Sequence, residues 1–400
     1  MLGAVIFALT YVLVSFRRLG VLPLGRPGAA LLGATACVVL GVLGPSEALA
    51  SIDGNTIVLL FGMMGMGAFL ELDDFPRRVE AFVAARVRTR RRLLALVIWG
   101  SGVAAAFLTN DAVCVLGAPI VVSLIRAHRL PPVPFLVGLA TAANTGSVAT
   151  LVGNPQNMLC ASLGGLAYRE YAALMVPVAL AGLAINHAVV ALVHRRDLEG
   201  ELEPSSPGPR LLSRSVVTTL VVIALTTLMY LAGFDLAWSA VAGFTLLLLL
   251  HRRDADEVWP KIEWTVLLFF AGLFIVVKGL TQSGLTDALF ARYPLSGDGG
   301  TPRLAAIFLI GSNVVSNVPF ILVVREQVAA LSDPRGGWML LAMASTFAGN
   351  LTLLGSVANI IVAERSRSIG GLGFWPYLRL GAPIALATTA VGTAWLALWR

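Results

Sequence analysis

The sequence predicts an all-α polytopic membrane protein made of two inverted repeats, each with five membrane-crossing segments, one of them broken, plus one re-entrant hairpin. Three observations carry this expectation. The 400 residues are 57% hydrophobic and only 13% charged, where an ordinary soluble domain has roughly 25% charged residues. The basic residues fall in short blocks between apolar runs, the bias that sets orientation in membrane chains. Two of the apolar runs are interrupted by Gly, Asn, Ser and Thr at matching places in the two halves. The net charge of +7 is therefore assigned to topology and not to a nucleic-acid partner. Cys37, Cys114 and Cys160 lie in apolar runs without CxxC spacing, which supports neither a disulfide framework nor a zinc site.

At about 20 apolar residues per span, the first repeat (1–193) opens with spans at 2–16, 28–44 and 55–70. Arg17 and Arg18 follow the first run, as expected of an uncleaved span with its N-terminus outside. Arg17, Arg18 and Arg26 then lie inside, and Glu47 and Asp53 outside. Residues 75–92 carry Phe75, Val79, Phe82, Val83 and Val87 at helical spacing and seven arginines elsewhere, the pattern of a helix lying on the cytoplasmic membrane surface. Residues 93–126 are too long for one span and short for two, with Thr109, Asn110 and Asp111 at the centre. Read as a re-entrant hairpin, they keep Arg90, Arg91, Arg92, Arg126 and Arg129 on one side, and their tip must be buried in protein or face water. A broken span at 134–163 and a return span at 171–193 close the repeat. Residues 194–214, polar and containing Pro, Ser and Gly, form a cytoplasmic linker.

The second repeat (215–400) echoes the first. WTVLLFFAGLF at 264–274 resembles NTIVLLFGMMG at 55–65, and SNVP at 316–319 takes the place of TNDA at 109–112. TLLGSVAN at 352–359 repeats the Thr, Leu, Gly and Asn of TLVGNPQN at 150–157 at identical spacing. Spans at 215–233, 235–250 and 262–280, a hairpin at 304–331, a broken span at 338–363 and a last span at 376–399 follow. Five crossings before the linker invert the second repeat and place both termini outside. On this topology six of the 29 Lys and Arg fall outside, Lys278 lies at a span end, and the rest are inside.

The breaks are where function is expected. Unpaired backbone in hydrocarbon costs several kcal/mol or so per group, so a span stays helical unless the interruption is used. In 141–157, Pro155 lacks an N–H, Gly146 and Gly153 leave helical geometry cheaply, and Asn154 before Pro155 reads as a helix start. The expectation is a half-helix ending near Asn144, a polar loop, and a second half-helix from Pro155. Unwound carbonyls suit a cation and half-helix N-termini suit an anion. Paired broken helices in inverted repeats are how secondary transporters hold a solute near the bilayer midplane. The candidate solute and ion site takes Thr109, Asn110, Asp111, Asn144, Thr145, Ser147, Thr150, Gly153, Asn154 and Asn157 from the first repeat. A pseudo-equivalent site takes Ser316, Asn317, Asn350, Thr352, Gly355, Ser356 and Asn359 from the second.

An embedded carboxylate is costly, which makes Asp111 an ion or proton site, with a cap at a wet turn as the alternative. Asn110 and Asn317 either brace their turns or touch solute. Glu71 and Lys278, at corresponding span ends, are read as snorkelling, and His187 and the Met63, Met64 and Met66 group as packing. No arginine is conspicuous in the site.

FLTNDA at 107–112, SVATLVGNPQN at 147–157, SNVPF at 316–320 and AGNLTLLGSVAN at 348–359 resemble the four signature loops of the ion transporter superfamily. That group includes arsenite permeases, sodium/proton antiporters of the same fold, divalent anion/sodium symporters and citrate transporter-like permeases. The resemblance covers nearly the whole chain. It implies a scaffold domain, a transport domain carrying both hairpins and both broken helices, an elevator-type motion and a homodimer, while the Arg-heavy, Lys-poor usage fits a bacterial inner membrane. The resemblance further implies secondary active transport of a small anion or oxyanion without a cofactor, with H+ or Na+ as the coupling ion. In the symporter branch, Ser-Asn-Thr hairpin tips bind sodium and carboxylate. Here Thr109-Asn110-Asp111 and Ser316-Asn317-Val318 depart from that pattern by an added charge and a lost hydroxyl, and TNDA with GNPQN is closer to the arsenite-permease side. Arsenite efflux and sodium/proton exchange are the alternatives within the group. A membrane-embedded enzyme is the alternative from another class, and the sequence holds no HExxH and no convincing nucleophile and base pair.

Overall fold

Side-chain caps start eight of the described helices, among them those that begin at Gly54, Arg90, Asn110 and Pro155. The computed structural model describes residues 1–15, 24–203, 210–295 and 299–399. Arg17, Arg18, the middle of the linker and Arg400 lie outside them. Among the described residues the architecture is all-helical, with one isolated bridge between Thr89 and Glu201. Helices α1 (Leu2–Ser15), α2 (Gly25–Val39) and α4 (Gly54–Leu72) match the first three expected spans, with a short α3 (Pro45–Ala50) between the last two. Asp53 starts α4 by accepting the Thr56 N–H at 2.7 Å.

The expected surface helix through residue 92 is two elements. Helix α5 (Phe75–Arg86) stops at Val87, whose backbone is extended, and Thr89 caps α6 (Arg90–Phe107) by accepting the Arg92 N–H. Linker backbone fills the gap, Leu202 donating to the Arg88 carbonyl at 2.8 Å. The apolar stripe of α5 packs on α7 (Asn110–Ala127), not simply on lipid. Helices α6 and α7 join through Leu108 and Thr109, and Thr109 caps α7 at the Ala112 N–H. The tip is buried as required, with Asn110 only 2% exposed.

The first broken span is α8 (Pro132–Ser147) followed by α9 (Pro155–Gly164). Helix α8 runs three residues past its expected end because the Asn144 side chain is drawn into long-range bonds and does not cap locally, while the Ser147 hydroxyl bonds back to the Asn144 carbonyl at 2.8 Å. Asn154 caps α9 as expected, accepting the Asn157 N–H at 2.8 Å. Helix α10 (Tyr168–Val193) returns. After the linker come α11 (Arg214–Leu231), α12 (Leu236–His251), a one-turn α13 (Ala255–Val258) and α14 (Trp264–Gln282). Then follow α15 (Leu285–Arg292), the helix pair α16 (Gly300–Val315) and α17 (Asn317–Ala329), the second broken span α18 (Pro334–Ala348) and α19 (Val357–Arg365), and α20 (Phe374–Leu398). The order long helix, short helix, helix pair, broken helix, long helix in α4 to α10 thus recurs in α14 to α20. Helices α4, α7, α10, α11, α14 and α20 are each long and apolar enough to cross a bilayer unaided, and the chain is a multi-pass membrane protein.

Two sets of contacts position the site. The helix pairs, broken helices and closing helices pack on one another: α6 on α8, α10 on α8 and α20, α16 on α18, α18 on α9, and α7 on α19. The α6 to α8 contact is close enough that a Cβ on Gly146 would lie 2.0 Å from the Gly102 carbonyl oxygen. Separately, α1 and α2 pack on α14, and α11 and α12 pack on α4. The sets meet where α4 touches α9 and α14 touches α17.

Candidate functional site

Each break is held open by one asparagine. Asn157 Nδ2 donates to the carbonyls of Ser147 (3.1 Å) and Thr150 (2.9 Å). Asn359 Nδ2 donates to those of Gly349 (2.7 Å) and Thr352 (3.1 Å), at the same spacing. These amides supply donors that helical N–H groups would have supplied, which is how unwound backbone is tolerated at this depth. Asn144 then ties the halves together. Its Oδ1 accepts from Asn110 Nδ2 (2.8 Å) and Ser356 Oγ (3.1 Å), and its Nδ2 donates to Asn350 Oδ1 and Asn359 Oδ1, both at 3.0 Å. Asn350 continues to Thr145 Oγ1 (3.0 Å), and Asn154 Nδ2 reaches Ser147 Oγ (2.8 Å) and Thr346 Oγ1 (3.2 Å). The two sites expected separately are therefore one buried lattice.

The helix pairs are tied to the breaks in parallel ways. Thr150 donates to the Ala106 carbonyl at 2.8 Å, and the Asn110 N–H donates to the Gly153 carbonyl at 2.8 Å. In the other half Thr352 donates to Asn313 Oδ1 (3.3 Å), and Asn313 Nδ2 donates to the Ala348 carbonyl (2.9 Å). Asn313 was not among the expected residues, although Ser312-Asn313-Val314 repeats the Ser316-Asn317-Val318 of the tip one helical turn earlier.

The remaining expected residues surround open space. A cavity of about 50 Å³ is bounded by Arg26, Asn110, Asp111, Gln156, Ser316, Asn317, Gly355 and Ser356, with Phe269 and Phe270 across it. First-turn residues of five helices, α2, α7, α9, α17 and α19, line it. Arg26 corrects the expectation of a site without arginine: it belongs to the first turn of α2 and faces the cavity, not a loop. Asn317 is buried and its Oδ1 has no hydrogen-bond partner. Ser316 beside it holds φ +70°, ψ 150°, a region in which a side chain costs about 1–3 kcal/mol.

Asp111 stands at a doorway. It and Val357 line both the small cavity and a second one of about 430 Å³, whose walls include Glu71, Lys261, Glu263, Glu364 and Arg365. Glu71 is on this wall, paired with Lys261 at 2.6 Å, so it is more than a snorkelling span end; Lys278 lies elsewhere, 4.0 Å from Glu47. A third cavity, about 370 Å³, has Asp53, Asn55, Phe274 and Arg325 in its walls. Along α14 the order is Thr265 and Val266 at the large cavity, Phe269 and Phe270 at the small one, Phe274 at the third. Beside the third cavity Ser162 of α9 donates to Asp53 Oδ2, at the start of α4, at 2.7 Å. His187 accepts from Trp99 Nε1 at 3.1 Å and is a packing group, as are buried Met63 and Met66. Among the described residues no three His, Cys, Asp or Glu side chains gather at one point.

A polytopic helical protein in which two broken helices and two helix pairs enclose a polar cavity, set between vestibules on either side, is a secondary transporter. The chain belongs to the citrate transporter family (CitMHS), whose description matches residues 11–348. It is 31% identical, over an alignment of 466 positions covering 98% of this chain and 96% of the other, to the silicon efflux transporter LSI3 of Oryza sativa subsp. japonica. It is 28% identical to the arsenical pump membrane protein of Escherichia coli (strain K12), covering 81% of this chain and 80% of that one. Its fold is like that of the Alcanivorax borkumensis YdaH transporter, with a TM-score of 0.58 at 14% identity over 100% of this chain and 98% of that one.

Proposed function

We propose that the protein carries a small, weakly charged oxyanion across the cell inner membrane, coupled to protons through Asp111, by an elevator-type motion. The small cavity carries the substrate class. Each helix N-terminus presents roughly half a positive charge, so five first turns and Arg26 favour negative or strongly polarised oxygen. A volume of about 50 Å³ holds a few waters, hence a solute of a few heavy atoms, whereas a tricarboxylate needs the cavity to widen. The names of the silicon and arsenical relatives point the same way.

Proton coupling is favoured over sodium because two carbonyls of each break are already engaged by Asn157 and Asn359, while Asp111, the embedded carboxylate, sits at the mouth. A proton on Asp111 removes the charge that repels an arriving anion, and an anion in the cavity favours the proton in turn, a reciprocal linkage. When both leave, the carboxylate offsets Arg26.

Inversion of the repeats is supported by the two helices that echo each other in sequence. Helix α4 runs from Asp53 at the third cavity to Glu71 at the vestibule, and α14 runs from Glu263 at the vestibule to Phe274 at the third cavity. The vestibule is assigned to the cytoplasm because Lys261 and Arg365 on its wall belong to the basic-rich side. Assembly as a homodimer follows from the superfamily resemblance. The test is flux in proteoliposomes under imposed proton or sodium gradients, offering arsenite, silicate, sulfate, succinate and citrate to wild type and Asp111→Asn. A small oxyanion should follow the proton gradient, and Asp111→Asn should abolish coupling while sparing passive exchange. Flux that follows sodium and ignores the substitution overturns the proposal.

A further inference from the structure

A second cavity type lies away from the transport path. Between α5, α6 and α7 is a slot of about 300 Å³, walled by apolar side chains such as Val79 and Phe82 of α5, Leu96 of α6, and Leu116 and Ile120 of α7. Its one polar side chain, Ser101, is occupied by hydrogen bonding to the Val97 carbonyl. The slot follows α6 from Leu93 to Leu108, about 22 Å at about 1.5 Å per residue. Leu96 and Gly100, which line it, are exposed on the surface of α6, so it opens toward hydrocarbon.

The rim is basic. The Arg86 guanidinium lies 4.1 Å over the Phe82 ring, and Arg88, Arg91 and Arg92 are exposed on the turn into α6. At the other end of α5 Arg78 Nη1 donates to the Arg210 carbonyl at 2.8 Å, holding the linker where Leu211 lines the slot beside exposed Arg210. The acidic groups at this rim are Glu80, turned inward and accepting from Ser123, and exposed Glu201 of the linker, bridged to Thr89, against the exposed Arg86, Arg88, Arg91 and Arg92. An apolar trough along a membrane helix with arginines clustered at its headgroup end matches one occupant in shape and charge. We infer that the slot binds an acyl chain of an anionic phospholipid whose phosphate rests on the arginine rim. Leu116 lines both this slot and the vestibule, so the bound chain backs the wall that carries Thr109 and Asp111.

The test is native mass spectrometry of the full chain in neutral detergent, titrated with phosphatidylglycerol or phosphatidylcholine of the same chain length. Gly100 lines the slot, and a Cβ there meets nothing within 4 Å, so Gly100→Leu fills the slot without a backbone clash. Wild type should bind phosphatidylglycerol about tenfold or more tightly than phosphatidylcholine. Gly100→Leu should remove both, and Arg86→Gln with Arg88→Gln should cut phosphatidylglycerol binding by about tenfold while leaving phosphatidylcholine unchanged. Equal affinity for the two lipids, insensitive to the arginine changes, overturns the inference. So does lipid binding untouched by Gly100→Leu with a loss of dimer, which would give the slot to a second copy.

Discussion

The asparagines of this site divide into those that hold the backbone and those that face the solute, and a pair of truncations separates them. Asn144 makes four side-chain hydrogen bonds, to Asn110, Ser356, Asn350 and Asn359, at 2.8 to 3.1 Å and 1% exposure. Asn144→Ala breaks all four and leaves three amides and a hydroxyl short of a partner. At about 1 kcal/mol per net buried hydrogen bond, the loss is about 4 kcal/mol. Asn317 is also buried, but its Oδ1 has no bond to lose. In apparent melting temperature, read in detergent at a fixed scan rate, Asn144→Ala should fall by about 5 °C or more and Asn317→Ala by about 1 °C or less. In flux assays Asn317→Ala should raise the half-saturating solute concentration about tenfold, by removing a cavity-facing amide worth a charge-assisted hydrogen bond. A stable Asn144→Ala, or equal destabilisation by both, refutes the division.

Further outcomes follow from single contacts. Ser316→Gly relieves the positive φ at the α17 tip and should raise the apparent melting temperature by about 1–3 °C; a decrease would mean the Ser316 side chain holds the tip. Ser162→Ala removes the 2.7 Å bond to Asp53 Oδ2 but keeps the Asp53 cap on α4. Thiol labelling of a cysteine placed at Ala112, in the vestibule wall, should then slow by up to about fivefold as the population shifts toward opening at the third cavity. Unchanged labelling would show that this bond is no latch.

The breaks were legible because their signals are local. Asn154 before Pro155 starts a helix whatever surrounds it, and the recurring Thr, Gly and Asn spacing placed the second break. What those residues do was only half legible: Asn157 and Asn359 find their carbonyls within their own break, whereas Asn144 meets Asn350 and Asn359 from the other half, a pairing no periodicity encodes. Arg26 reads as a topological charge beside an apolar run, and enters the site only because α2 packs along α14. Asn313 carries a local mark, the Ser-Asn-Val it shares with Asn317, but its partners Thr352 and the Ala348 carbonyl lie about 35 to 39 residues on. For α5 the amphipathic pattern established that one face is covered, but not that the cover is α7.

Binding of an anion among five helix N-termini, with Arg26 on one of them, is tested by the concentration dependence of flux in Arg26→Gln and Arg26→Lys proteoliposomes. With whichever solute of the panel wild type carries, Arg26→Gln should raise the half-saturating concentration about tenfold or more, since a charge-assisted bond contributes about 1.5–3 kcal/mol. Arg26→Lys should recover part of the loss. A half-saturating concentration unchanged in Arg26→Gln would contradict the claim and leave the cavity without its anion-binding charge.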